Sequence, residues 1–299
     1  MSNKDVTKKP SETALFAALY RVIANKELKS KGVNTDYLAE CFLPAMLKFL
    51  FKFRMIRNNF KRKSQKITPG IYEYVIARTA FFDNVFSEAL SAEIPQIVFL
   101  GAGYDTRSYR FSHLNQATKI FELDVVTTQN RKKKCLEKMK MDTPKNITFV
   151  SIDFNRESLI SVLESAGFNA SKKTLFIWEG VSYYLEPEAV DATLEFVRNS
   201  SGSDSIIAFD YAVSPSQETI NHYYGAKEFI ETWEKKRSSE PFRFTIEEGA
   251  IDSFLDQRGL KVEKHFKSDE IEKVFLLQEA GLLEGRINGL FQFAVVLSK

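Results

Sequence analysis

Glycines and carboxylates in the middle of the chain stand at a spacing that suits a nucleoside ligand. Residues 98–100 are an apolar run of buried-strand type that stops at Gly101-Ala102-Gly103, and the polar, helix-starting stretch 104–107 follows. Glycine at 101 and 103 lets the backbone swing sharply and approach a ligand with no Cβ in the way. About twenty residues on, a second strand-like run, 120–124, ends in Glu122 and Asp124. A carboxylate in that place can accept hydrogen bonds from ribose hydroxyls. The pattern predicts an adenosine-containing cofactor. Thr106 occupies the third loop position, where a dinucleotide site keeps a small residue for close helix–strand packing. That weighs against an NAD(P)-dependent oxidoreductase, which stays as the alternative.

Other reactive types are sparse. His113, His222 and His265 show no metal-ligand spacing, and Cys41 and Cys135 form no CxxC. Neither a metal site nor a disulfide framework is expected. His222 stands apart because it sits in an aromatic run, His222-Tyr223-Tyr224, and so is a pocket candidate beside Tyr183. Tyr104, Tyr183 and Tyr184 suit either core or pocket wall.

The elements that must hold these residues follow from periodicity. The chain has 299 residues, 44% of them hydrophobic and 27% charged, which allows one large α/β domain with additions. Residues 11–13 offer N-cap chemistry to a helix over 14–26, a second helical stretch starts at Thr35 or Asp36 and runs into 44–57, and 71–90 is helical again. From residue 96 short β-branched and aromatic runs (97–100, 119–123, 147–152, 174–178, 205–209) alternate with helical ones (127–139, 156–166, 187–199). Such alternation predicts a parallel sheet with right-handed crossovers. An aromatic helical insertion at 214–244, a helix at 246–257 and strands at 260–265 and 290–297 complete it. The expectation is a doubly wound, Rossmann-like sheet of seven strands, one of the last two antiparallel. Its divisions are a helical cap (11–92), a cofactor-binding half (93–211), a lid insertion (212–245) and a closing segment (246–299).

Four motifs in this order resemble a known family. VFLGAGYDTRSYRF at 98–111, FELD at 121–124, WEGVSYYL at 178–185 and ARTAFFD at 77–83 are similar to the leucine carboxyl methyltransferase-like group of class I S-adenosylmethionine-dependent methyltransferases. The resemblance runs from about Thr13 to the end. It implies S-adenosyl-L-methionine as cofactor and a role for each matching residue. Arg78 would pair with the methionine carboxylate, as a planar guanidinium suits bidentate binding. Gly101 and Gly103 would pass under the methionine and ribose, and Asp124 would hold the ribose hydroxyls, with Glu122 sharing that task or pointing elsewhere. Asp153 and Phe154 would meet the adenine, Glu179 would face the methionine amino end, and Arg21 would match a basic residue from the first helix. The family often has a proline soon after the ribose acid; Val125-Val126-Thr127 stands here instead, which bears on the local turn. Blander roles stand beside these: Arg78 as a surface helix arginine, Asp153 as a helix cap, and Glu179 as a buried carboxylate that needs a partner.

A carboxylate acceptor is already ionised at neutral pH and needs no general base, whereas a phenol or alcohol does. The motifs contain no convincing His–acid pair, so the expected activity is O-methylation of a carboxylate or acidic hydroxyl on a small apolar or aromatic molecule. A net charge of +3 gives no reason to expect nucleic acid. Residues 48–66 carry eight cations and no acid among apolar side chains. They suit a lid helix with a solvated basic face, an acidic-substrate site or an interfacial helix on anionic lipid. A non-catalytic cofactor-fold protein held at a membrane by this segment is a further alternative. Residues 1–10 are polar with no apolar leader core, so the cytosol is the expected location. Oligomeric state is open.

Overall fold

The computed structural model describes residues 10–28, 35–154, 156–236, 241–276 and 285–298. The expected tail, 1–10, lies outside them except for Pro10. Four helices come first: α1 (Glu12–Leu28), α2 (Ala45–Leu50), α3 (Arg54–Ile67) and α4 (Ile71–Ser91). Ser11 caps α1 through its hydroxyl, which accepts the Ala14 N–H at 3.0 Å. The stretch expected to run unbroken into residue 57 is instead a 3-10 turn (Ala39–Phe42) followed by two helices. Pro44 can only open α2.

The alternating part gives β1 (Gln96–Leu100), α5 (Arg107–Arg110), β2 (Lys119–Asp124), α6 (Val126–Lys138), β3 (Ile147–Ser151), α7 (Leu159–Ser165), β4 (Thr174–Trp178), α8 (Pro187–Asn199) and β5 (Ile206–Ser214). Then come α9 (Ala226–Lys236), β6 (Ile246–Glu247), α10 (Ile251–Asp256), β7 (Leu260–Phe266), α11 (Ser268–Ile271) and β8 (Phe291–Ser298). The sheet runs β3-β2-β1-β4-β5-β8-β7, and the two-residue β6 pairs with the end of β5. β1 to β5 are parallel, and β8 is antiparallel to both its neighbours. β1 and β4 are buried at every position, as strands covered on both faces must be, which explains the apolar runs 97–100 and 175–178. The predicted helix over 246–257 is divided: Ile246 and Glu247 pair with Val213 and Ser214, and Gly249, at φ +75°, turns the chain into α10.

α4 lies across the closing strands. Tyr74 stacks on Phe291 at 4.2 Å between ring centroids and Phe81 on Phe293 at 4.7 Å. Strand order reverses between β1 and β4, and in such a sheet the crevice outside their C-terminal ends is where ligands bind. α4 delivers its polar residues to that crevice.

Candidate functional site

The glycine turn is docked on the end of β2. The N–H groups of Gly101 and Ala102 both donate to the Leu123 carbonyl, at 3.0 and 2.7 Å. Gly101 has φ +83°, and a Cβ there would meet Val181 Cγ2 at 2.5 Å, so the turn after β1 and the turn after β4 touch because residue 101 is glycine. Asp124 is half-buried, and its oxygens accept N–H bonds from Gly103 (2.5 Å) and Val125 (2.7 Å). Val125 thus supplies a backbone donor to the acid and leads into α6 without a proline. Those two bonds fix the orientation of the carboxylate beside the glycine turn.

Asp153 follows β3 next to this acid, since the Ile152 N–H donates to the Asp124 carbonyl at 3.1 Å. The Asp153 carbonyl also accepts the N–H groups of Arg156 and Glu157, both at 2.9 Å. It therefore closes a turn as well as standing at the rim. Phe154 is half-buried beside it against the core.

At the end of β4 a buried ionic network begins. Arg78 Nε donates to Glu179 at 3.0 Å, and Nη1 donates to Tyr183 Oη at 3.2 Å and to Asp210 at 3.3 Å. Arg107 Nη1 donates to the other Glu179 oxygen at 2.6 Å, while its Nε reaches Asp83 at 2.7 Å and its Nη2 the Thr79 carbonyl at 3.1 Å. Arg107 also pairs with Asp105, so it joins the glycine turn to β4. Arg110 grips Asp83 with two bonds, at 2.7 and 2.8 Å. Glu179 thus has the partners a buried carboxylate requires.

The electrostatics follow from this pairing. Burial opposes the Arg78 charge, but Tyr74, Tyr183, Glu179 and Asp210 outweigh it and hold the guanidinium firmly protonated. Burial, and then the Asp210 charge, push the Tyr74 and Tyr183 phenols well above their ordinary range. Both are donors at neutral pH: Tyr74 bonds to Asp210, and Tyr183 reaches the same carboxylate at 3.4 Å. Burial would raise the Asp105 carboxyl, but Arg107 first, then Lys132 and the Arg107 N–H, bring it below the usual range.

The sequence-predicted residues divide into groups. Gly101, Gly103, Asp124, Asp153 and Phe154 line the ends of β1 to β3, and Arg78, Glu179 and Tyr183 gather at β4. Glu122 is drawn away: at 1% exposure it accepts Ser108 Oγ at 2.8 Å and Lys132 Nζ at 2.6 Å inside the fold. Arg21 braces the turn, with Nη1 on Asp36 at 2.7 Å and Nη2 on the Tyr104 carbonyl at 3.0 Å. His222 is exposed and lines a surface depression of about 260 Å³ with Tyr224, Glu228 and Arg286, none of them part of the network. Thr106 is fully buried and donates to Asp36 at 2.7 Å, tying the helical cap to the glycine turn.

Asp83, Asp105, Arg107 and Asp210 are network members to which sequence reasoning assigned no role. Asp83, Asp105 and Arg107 lie inside the motif stretches. Asp210 comes one residue after the run 205–209, the strand-end position that singled out Glu179.

Three comparisons place this geometry among known proteins. A family model described as leucine carboxyl methyltransferase matches residues 14–198. The YktD protein of Bacillus subtilis (strain 168), provisionally named an S-adenosyl-L-methionine-dependent methyltransferase, is 31% identical over 204 residues, 67% of this chain and 65% of that protein. A Mycobacterium sp. (strain JLS) protein with the same provisional name is 30% identical over 210 residues, 69% of this chain and 66% of that protein. The chain thus aligns with just under two thirds of the length of both relatives. Among solved structures, a DUF574 family protein from Streptomyces avermitilis superposes with a TM-score of 0.61 at 12% identity, over 98% of this chain and 99% of that one. A provisionally named methyltransferase from Thermobifida fusca superposes with a TM-score of 0.56 at 13% identity, over 99% and 97%. At such identities these two likenesses speak for the fold.

Proposed function

The chain belongs to the leucine carboxyl methyltransferase family, and from that premise we propose that it is an S-adenosyl-L-methionine-dependent O-methyltransferase acting on a carboxylate, or an acidic hydroxyl, of a small apolar or aromatic molecule. The observation that carries this is the pairing of two prepared ends at the switch point. Asp124 is fixed at the end of β2 by the Gly103 N–H. Arg78 is locked through Nε and Nη1, and its Nη2 has no hydrogen-bond partner among the described residues. A ribose suits the first and a carboxylate the second, which are the two polar ends of this cofactor. Gly180 fits the same purpose: a Cβ there would stand 3.0 Å from Arg78 Nη1, so glycine lets the guanidinium lie against the turn.

When bound, S-adenosyl-L-methionine supplies a sulfonium methyl that an acceptor oxygen takes in line as the bond to sulfur breaks. The residues of the chain position and shield. Asp124 fixes the ribose, Asp153 and Phe154 the adenine, and Arg78 the methionine carboxylate. Glu179 bridges Arg78 and Arg107. No proton must be removed from a carboxylate acceptor, which suits a cluster whose carboxylates are engaged by arginines and whose tyrosines keep their protons.

The insertion 212–245 acts as the lid in this scheme. Phe242 packs on Tyr183 at 4.7 Å and on Trp233 at 5.2 Å, and Trp233 packs on Phe229 at 5.3 Å. That aromatic wall favours an apolar acceptor. The test is methyl transfer from methyl-labelled cofactor to a panel of carboxylic acids and phenols. A base-labile methyl ester is expected from a carboxylate acceptor, and a base-stable methyl ether from an acidic hydroxyl. Label on nitrogen or carbon would overturn the proposal, and hydride transfer with a nicotinamide dinucleotide would replace it.

A further inference from the structure

We propose that the α2–α3 hairpin is a docking element for an anionic phospholipid surface. Large apolar side chains scattered singly over a surface are ordinary, but clustered ones mark an interaction site. Four of the eleven exposed large apolar side chains among the described residues fall within one stretch of ten: Met46 (69% exposed), Phe49 (58%), Phe53 (50%) and Met55 (77%). Phe49 and Phe53 touch edge to face, with centroids 5.5 Å apart, so they present a joint apolar tip.

The tip is built to stay outside. Arg57, itself buried, donates through Nη1 to the carbonyls of Phe51 (2.7 Å) and Lys52 (3.0 Å) and pins the turn between the helices. Phe51 turns inward, 2% exposed and 5.6 Å from Phe60, and Leu47 and Ile56 are half-buried against the core. The turn is therefore anchored by Phe51 and Arg57 while Met46, Phe49, Phe53 and Met55 face solvent. α3 is also joined to the lid, as Gln65 donates to Tyr224 Oη at 2.7 Å and Thr232 to the Ile67 carbonyl at 2.9 Å.

Charge selects the occupant. No Asp or Glu occurs from residue 41 to 72. Lys52, Arg54, Arg62, Lys63 and Lys66 are exposed and make no ion pair among the described residues. Two acids of the neighbouring elements are occupied, Glu27 by Lys61 at 2.8 Å and Glu40 by Lys26 at 3.0 Å. An apolar tip flanked by Lys52 and Arg54, on a helix that carries three further unpaired cations along its length, suits acyl chains beneath anionic headgroups. No helix among the described residues is long and apolar enough to cross a membrane, so the contact is with the surface.

The test is co-sedimentation of the full chain with vesicles of phosphatidylcholine alone and of phosphatidylcholine with phosphatidylserine, at low and high salt. Each cation at an anionic surface contributes on the order of fivefold in partitioning. The expected result is binding to the anionic vesicles only, lost in high salt as the Debye length shrinks to about 3 Å at 1 M. The Arg62→Gln/Lys63→Gln/Lys66→Gln variant should bind on the order of a hundredfold more weakly. Phe49→Ser/Phe53→Ser should also lose binding while keeping the far-UV dichroism of the parent. Equal binding to both vesicle types, no binding to either, or undiminished binding by both variants would overturn the proposal. So would a concentration-dependent dimer abolished by Phe49→Ser/Phe53→Ser, which would assign the tip to a second copy. Cofactor titration of both variants should match the parent, so failure here is separable from failure of the methyl-transfer proposal.

Discussion

Glutamine in place of Glu122 removes one charge and keeps the side-chain shape. The partner, Lys132, is 1% exposed and 2.6 Å away, and the glutamine oxygen can still accept the Ser108 hydroxyl. What changes is that a buried ammonium loses the carboxylate it touches and keeps only the longer-range pull of Asp105. Breaking a buried pair from one side costs about 3–5 kcal/mol. In a chain of this size each kcal/mol lowers Tm by about 2 °C, so the variant should melt about 6–10 °C below the parent. The double variant Glu122→Gln/Lys132→Met removes both charges of this pair and should regain all but about 1–2 kcal/mol. Because Glu122 is consumed inside the fold, affinity for S-adenosylhomocysteine should change by less than about twofold. Scanning calorimetry and titration calorimetry read the two quantities separately. A Tm within about 2 °C of the parent, together with a tenfold or larger loss of affinity, would refute the assignment and put Glu122 on the ribose.

Three more predictions follow from the same geometry. Arg78→Ala deletes the free guanidinium edge and leaves Glu179 and Asp210 short of a counter-charge. Titration should show cofactor affinity down by about a hundredfold or more, with Arg78→Lys intermediate because it keeps charge but loses the fork. Gly101→Ala forces a residue with a Cβ to φ +83° against Val181; denaturant unfolding should show a loss of about 1–3 kcal/mol, and Val181→Ala should relieve the clash but not the backbone part. Glu73 is buried with Oε2 unpartnered among the described residues, and burial raises its carboxyl above the usual range. Its folded form therefore favours the proton, so stability is full below the unfolded value near pH ~4.3 and falls as pH rises through the raised one. Glu73→Gln should stabilise at neutral pH, and the difference should vanish in acid; a difference independent of pH would contradict the assignment.

The strands that bury both faces were readable because their apolar runs end at glycine or acid: residues 174–178 were bounded to the residue, and 97–100 and 119–123 to within one. β5 was cut short at 209, whereas it runs to Ser214. Its extra length comes from antiparallel pairing with β8, Ala212 opposite Phe291, and a partner some eighty residues away leaves no local periodicity. For that reason Asp210 stayed outside the predicted site. Glu122 and Asp124 share a strand face by the two-residue period. Only the register of α6, which brings Lys132 onto Glu122, separates their roles. The break between α2 and α3 was hidden because the turn is held by Arg57, a bond from side chain to backbone that composition does not announce. Gly101, Gly103 and Asp124 were legible since the turn depends on backbone freedom and an acid at a fixed distance, both local properties.

The central claim is that the crevice between β1 and β4 takes S-adenosyl-L-methionine through Asp124 and Arg78. Titration calorimetry of the purified protein with S-adenosylhomocysteine, beside NAD and NADP, tests it directly, with Asp124→Ala and Arg78→Ala run in parallel. The predicted result is roughly micromolar binding of the sulfur nucleoside alone, lost in both variants. Binding of a nicotinamide dinucleotide instead, or nucleoside binding that survives Asp124→Ala, would contradict it.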